Sequence, residues 1–88
     1  MATIQLRLVT PRDIVADEPV SIVNVTSVNG QMGIMPNHVA VMAKLEDGVI
    51  NAQCGKDRKY WSIHNGLMHF ENNQCVILAD AIGDTKPQ

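Results

Sequence analysis

The chain has 88 residues, with 7 basic and 9 acidic side chains and a formal net charge of −2. That length predicts one domain over residues 1–88, with a modest core, because so small a chain buries roughly 60–65% of the surface its unfolded form exposes. No Lys/Arg cluster supplies the electrostatic footprint of a nucleic-acid binder. The longest apolar runs, Val39–Ala43 and Cys75–Ala79, are five residues each, whereas a membrane-spanning helix needs about twenty.

The opening MATIQLRLV alternates and has no charged region before an apolar block, so it does not read as a signal peptide. Val, Ile and Thr make up 22 residues, a β-branched load that favours strands. With three aromatic residues, the core must be aliphatic and rich in methionine. Cys54 and Cys75 both fall in apparent strands and are expected to be buried, reduced thiols.

Taken in order, Thr3 to Thr10 alternates strictly. Ile4, Leu6 and Leu8 point one way and Gln5, Arg7 and Val9 the other, as in a half-buried strand. Pro11-Arg12-Asp13 turns the chain. Ile14-Val15-Ala16 reads as a short second strand ended by Asp17-Glu18-Pro19. Val20 to Val28 carries apolar residues on both faces, which predicts cover on both sides.

Asn29 to Gly33 reads as a constrained loop. Gly30 permits a positive φ that a side chain would resist, and Met32, between Gly30 and Gly33, is expected exposed at the tip as a contact residue. Ile34-Met35 would be a brief edge strand. Pro36 fixes its own φ and pushes Met35 toward extended geometry, so Pro36-Asn37-His38 is a sharp corner and Val39–Ala43 a buried strand beyond it. So specific a surface path suggests presentation to a partner; a sheet corner with no partner is the alternative.

Glu46-Asp47-Gly48 is a tight turn and Val49–Cys54 a strand. Gly55-Lys56-Asp57-Arg58 forms a polar hairpin loop, followed by a strand over Lys59–His64. Asn65-Gly66 is a two-residue primed-turn signal, which would pair His64 with Leu67 and Ser62 with His69. Leu67–Glu71 follows, then a turn at Asn72-Asn73. Gln74–Ala79 is almost wholly apolar and should be central. Asp80–Gln88 is polar and is expected to fray. Short strands with turn signals every six to ten residues describe an all-β sandwich or barrel.

No catalytic, cofactor-binding or metal-binding residue emerges. His38, His64 and His69 show no metal-ligand spacing with each other or the cysteines. Ser21, Ser27 and Ser62 lie outside any Gly-x-Ser-x-Gly elbow, and no phosphate-binding glycine loop is present. Asp13, Asp17, Glu18, Glu46 and Asp47 sit at turns, where solvated charge is expected. Lys56 at a hairpin tip weakly resembles the modified lysine of lipoyl or biotinyl carrier domains, but its neighbours Gly55, Asp57 and Arg58 depart from their Asp-Lys-Ala or Met-Lys-Met patterns.

At Gly30-Gln31-Met32-Gly33-Ile34-Met35-Pro36-Asn37-His38 the chain resembles the epsilon subunit of the rotary proton-translocating ATP synthase, whose family shows Gly-x-x-Gly-Val-Leu-Pro-x-His-Ala-Pro. Further matches follow in order: Val9-Thr10-Pro11, Val20-Ser21-Ile22, Asp47-Gly48, Asn65-Gly66-Leu67 and Val76-Ile77-Leu78-Ala79-Asp80. Departures are Ala40 where the family usually has Pro, Asn65-Gly66 for Gly-Gly, and Gln31 where a Glu is common. Family members commonly continue into a helical hairpin that can inhibit hydrolysis and in some binds ATP. This sequence stops at Gln88, so neither property is expected to carry over, whether the short form is natural or a piece of a longer chain.

The resemblance implies a flattened sandwich of about ten mostly antiparallel strands. It implies a non-catalytic central-stalk subunit on the cytoplasmic side of a bacterial inner membrane, coupling the c ring to the gamma subunit. Thr10, His38, Met42 and Ala43 would face gamma. Asn29, Gly30, Gln31, Met32 and Gly33 would rest on the c ring. Pro36, Gly48, Asn65 and Gly66 would be structural turns. No cofactor, nucleic acid or small-molecule substrate is implied. The other readings are a carrier domain modified at Lys56 and a free-standing β-sandwich interaction module.

Overall fold

The computed structural model describes residues 2–85. Ten strands follow in order: β1 (Ile4–Val9), β2 (Ile14–Val20), β3 (Ile22–Ser27), β4 (Gly30–Ile34), β5 (Val41–Lys44), β6 (Gly48–Cys54), β7 (Asp57–His64), β8 (Leu67–Glu71), β9 (Gln74–Leu78) and β10 (Ala81–Thr85). They form two five-stranded sheets, ordered β2-β1-β9-β8-β5 and β10-β7-β6-β3-β4. The β1–β9 pair is parallel; the other paired strands are antiparallel. The all-β sandwich expected from the sequence is the fold observed.

Alternation builds the core. Ile4, Leu6 and Leu8 of β1, Met68 and Phe70 of β8, and Cys75 and Ile77 of β9 are buried from the first sheet. Val23, Val25, Ile34, Ile50, Ala52, Trp61 and Ile63 face them from the second. β9 is the middle strand of its sheet, as its apolar sequence predicts. Ser27 is the one buried polar side chain among the described residues. Its hydroxyl donates to the Gly30 carbonyl (2.8 Å) and accepts from the Asn29 N–H (3.1 Å), so its burial is compensated.

Several local expectations are corrected. β2 runs on through Asp17-Glu18-Pro19 to Val20. Proline is tolerated because β2 is an edge strand and no neighbour needs its missing N–H on that side. Val20–Val28 is not one two-faced strand: it breaks at Ser21, where the chain leaves the first sheet for the second. Val20 and Val23 both point inward because the period restarts there.

The expected loop at Asn29–Gly33 is a tight turn at Val28-Asn29 followed by edge strand β4. Gly30, at φ 129°, makes the turn exit. Gly33 lies in extended backbone opposite Asn24, so it is not pinned by positive φ. Met32 is half-buried and packs on the core, because strand alternation sends it to the same face as Ile34. The buried strand expected at Val39–Ala43 is instead β5, an edge strand with Met42 exposed.

Asn65-Gly66 does not close a hairpin. His64 ends β7 opposite Ala81, and Leu67 begins β8 opposite Leu78 and Lys44. These residues join different sheets. Asn65 takes φ 57°, but Gly66 serves for space: a Cβ there would lie 2.9 Å from Ile63 Cδ1. The tail expected to fray from Asp80 forms β10 against β7; the remainder of that expectation falls on residues 86–88, outside the described residues.

Cys75 is buried as expected, but Cys54 is exposed at the end of β6. Burial pushes the Cys75 thiol up to about 12, and the thiolate is the reactive form. An alkylating reagent at neutral pH is therefore expected to label Cys54 rapidly and Cys75 only on unfolding. Mass spectrometry should show one adduct on the native chain and two after denaturant.

Candidate partner interface

The two sheets have unlike outer faces. On the second, Asn24, Thr26, Asn51 and Ser62 stand between the buried residues, beside half-buried Ile22, Val49 and Tyr60. Asn24 Nδ2 donates to Asn51 Oδ1 at 3.0 Å.

On the first sheet, the register sets Ile14 beside Val9, Val9 beside Leu78, and Leu78 beside Leu67. The next row runs Asp17, Arg7, Val76, His69, Met42. Ile14, Leu78, Leu67 and Met42 are 56, 49, 38 and 65% exposed. Ile14, Val9, Leu78 and Leu67 make an apolar band across four strands, with Met42 diagonal to Leu67 in the next row. Isolated exposed apolar residues need no explanation, but a contiguous band bordered by charge is what an interface presents. Its charged border includes the Arg7–Asp17 pair at 3.1 Å. The Gln5 amide and Arg7 together hold the Asp17 carboxyl below its ordinary value.

At one end of the band lies a groove lined by Val9, Thr10, Pro11, Leu67, Leu78 and Ala79, with Lys44, Asn65 and Asp80 at its rim. Asn65 is the node of that rim. Its backbone N–H donates to Asp47 Oδ1 (2.9 Å) and its Nδ2 to Asp80 Oδ2 (2.8 Å), while its Oδ1 accepts from Lys44 Nζ. His64 Nδ1 lies 2.8 Å from the other Asp47 oxygen. The Asn65 N–H, then His64 and Lys44, hold the Asp47 carboxyl below its ordinary value. Three passages between the sheets, β5 to β6, β7 to β8 and β9 to β10, are thereby tied at one point.

The residues singled out from the sequence are dispersed around this face. Thr10 stands at the groove end, its hydroxyl accepting from the Arg12 and Asp13 N–H groups at 3.3 and 3.4 Å. His38 stands at the opposite end, its ring edge-on to Phe70 with centroids 5.9 Å apart. Met42 projects outward between them. Ala43 points the other way and packs on the core, because neighbouring strand residues alternate.

Asn29, Gly30, Gln31 and Gly33 are exposed along the β3–β4 hairpin, whereas Met32 turns inward. Pro36 and Asn37 occupy the centre of a turn closed by the His38 N–H on the Met35 carbonyl (3.1 Å). The positive φ of Asn37, 70°, is what a type II turn requires at its third position, and proline is common at its second. Gly48, at φ 149°, opens β6.

Sequence reasoning did not single out Val9, Ile14, Leu67 or Leu78 as contact residues. The available signal was that Gln74–Ala79 is apolar on both faces, which was read only as centrality. Among the described residues no group of three or more His, Cys, Asp or Glu side chains could hold a metal. Lys56 is exposed in the two-residue turn between Cys54 and Asp57.

The fold is a two-sheet β-sandwich whose first sheet carries an exposed apolar row on its outer face. Residues 3–84 match the family model described as "ATP synthase, Delta/Epsilon chain, beta-sandwich domain", and the chain belongs to that family. It is 35% identical over 78 residues, 89% of the chain, to an ATP synthase epsilon chain of Synechocystis. It is 33% identical over 81 residues, 92% of the chain, to one of Alkalihalophilus pseudofirmus. The chain spans 57% and 61% of the lengths of these relatives.

Among solved structures, it superposes on a chain of the Euglena gracilis mitochondrial ATP synthase with TM-score 0.89 at 21% identity, covering 96% of this chain and 54% of the other. It also superposes on a chain of the Tetrahymena thermophila ATP synthase central stalk and c-ring with TM-score 0.79 at 17% identity, covering 94% and 67%. At these identities the structural likeness concerns the fold.

Proposed function

We propose that this chain is one epsilon-type β-sandwich domain that works without chemistry of its own. It would join the gamma subunit to the c ring of a proton-translocating ATP synthase and transmit rotation between them. The gamma subunit would cover the outer face of the first sheet, from Thr10 past Met42 to His38. The c ring would meet the β3–β4 hairpin at Asn29, Gly30, Gln31 and Gly33, the exposed part of the expected contact, together with the exposed Val28 at the turn. The domain would then sit peripherally on the cytoplasmic side of a bacterial inner membrane.

The observation that carries this reading is the apolar band on a chain of this family. A band of half-exposed Leu, Ile, Val and Met side chains gains about 25 cal/mol for each Å² that a partner removes from water. The mechanical part of the role suits the fold. Close-packed interiors have low compressibility and transmit strain, and the Asn65 node ties the two sheets beside the face that would grip gamma.

The test is affinity purification from the native host with the chain tagged. Gamma and c subunits are expected in the eluate. Val28→Asp with Gln31→Asp is expected to lose the c ring while keeping gamma. Recovery of neither subunit with the wild-type chain would overturn the reading, and a lipoyl or biotinyl mass increment on Lys56 would favour the carrier alternative.

A further inference from the structure

We infer that Asn73 is a positioning residue for the gamma-facing surface: it holds the Pro36–His38 corner, and with it the His38 ring, against the first sheet. The inference rests on the reading that His38 borders the gamma contact. Its own support is geometric.

Asn72 and Asn73 form the two-residue turn between β8 and β9, at φ 53° and 60°. That backbone asks only for residues tolerant of positive φ, and glycine would suffice. The Asn73 side chain does more. Its Oδ1 accepts from the Asn37 N–H at 2.6 Å and its Nδ2 donates to Asn37 Oδ1 at 3.3 Å. Its backbone carbonyl accepts from the Gln5 N–H at 2.9 Å. One residue therefore joins the start of β1, the β8–β9 turn and the corner between β4 and β5.

The pairing is reciprocal between two asparagines in left-handed conformation, on turns 36 positions apart in sequence. In the Met35–His38 turn, the hydrogen bond from His38 to Met35 leaves the Asn37 N–H unused. Asn73 takes it up. Among the described residues no other hydrogen bond links the stretch 35–40 to a distant segment. His38 follows Asn37 directly, and its ring meets Phe70 at an interplanar angle of 86°. Phe70 is fixed in the core, so the place of the His38 ring depends on the backbone that Asn73 holds.

The test is a double-mutant cycle with Asn73→Gly and His38→Ala, read by affinity for the isolated gamma subunit and by proton NMR contacts between the His38 and Phe70 rings. Glycine keeps the positive φ and removes only the side chain. Asn73→Gly is expected to weaken gamma binding roughly three- to tenfold, the worth of one net hydrogen bond, and to abolish the ring–ring contact. In the His38→Ala background it should have no further effect on affinity, since residues acting through one another are not additive.

Asn73→Asp keeps an acceptor for the Asn37 N–H and should retain the ring contact. Persistence of the contact in Asn73→Gly, or equal weakening in both backgrounds, overturns the inference. If His38→Ala leaves gamma affinity unchanged while Asn73→Gly still releases the ring, the partner reading of His38 fails and the positioning role stands.

Discussion

With gamma on the outer face of the first sheet, as proposed, aspartate at Leu78 is expected to weaken that association severely while leaving the fold intact. Leu78 lies in the middle of the apolar band, beside Val9 on one strand and Leu67 on the other. In the free chain it is 49% exposed and points away from the core. The folded monomer therefore loses little beyond a β-propensity difference, which spans about 1 kcal/mol at most. In the complex the same position would be covered. An unpaired carboxylate there must either stay charged in a poorly solvated place or take up a proton, and either route costs roughly 3 kcal/mol or more.

That corresponds to a weakening on the order of 100-fold or greater. Titration calorimetry with gamma, alongside thermal unfolding of each variant alone, separates the two effects. Leu78→Met, which preserves volume and polarity, should bind nearly as wild type. If Leu78→Asp binds gamma normally, the outer face of the first sheet is not the contact.

What could be read from the sequence depended on whether the controlling interaction was local. β1 was legible because Ile4, Leu6 and Leu8 need only a period of two and one buried face. The centrality of β9 was legible because both its faces are apolar. The sheet crossings were not legible. Asn65-Gly66 carries a strong short-range hairpin signal, yet that signal reports backbone freedom and not which sheet the next strand joins. Gly66 serves for space against Ile63 and Leu45, a requirement that comes from packing between the sheets.

The same holds at Ser21. A one-residue interruption resets the alternation between Val20 and Val23, so a run that looks two-faced is two one-faced strands. Met32 was misread for a related reason. Tracing the turn to Val28-Asn29, rather than through Gly33, shifts the residue from a tip to an inward strand position. For the candidate interface, the family resemblance drew attention to Thr10, His38 and Met42, which border or lie beside the band, and to Ala43, which points into the core. The middle of the band needed the register of β1, β8 and β9, and a parallel pair such as β1–β9 has no local sequence mark.

Phe70→Ala is expected to cause the largest loss of stability of any substitution considered. Phe70 is the only phenylalanine in the chain and is among its largest fully buried side chains, at 0% exposure. It faces inward from β8, opposite Val41 on one side and Cys75 on the other. Its truncation leaves a cavity that the surrounding backbone cannot close, because β8 is held on both edges by paired strands. Phenylalanine-to-alanine changes in such settings cost about 3–5 kcal/mol.

A domain of this length has roughly 4–13 kcal/mol in total, so the loss is a large share of it. At about 4–8 °C per kcal/mol for a chain of this size, the melting temperature should fall by more than about 12 °C. Denaturant titration at constant m-value checks the free-energy change directly. Phe70→Leu, which keeps most of the volume, should recover more than half of the loss.

The variant also bears on the partner surface, since the His38 ring rests on Phe70. Gamma bound to the folded state alone would raise the melting temperature of Phe70→Ala by mass action, but by less than it raises wild type if the His38 contact contributes to binding. A loss below about 1 kcal/mol would mean that the two sheets close over the vacated space. The stiffness attributed to the sandwich would then have to reside in the hydrogen-bonded node at Asn65 and not in its packed interior.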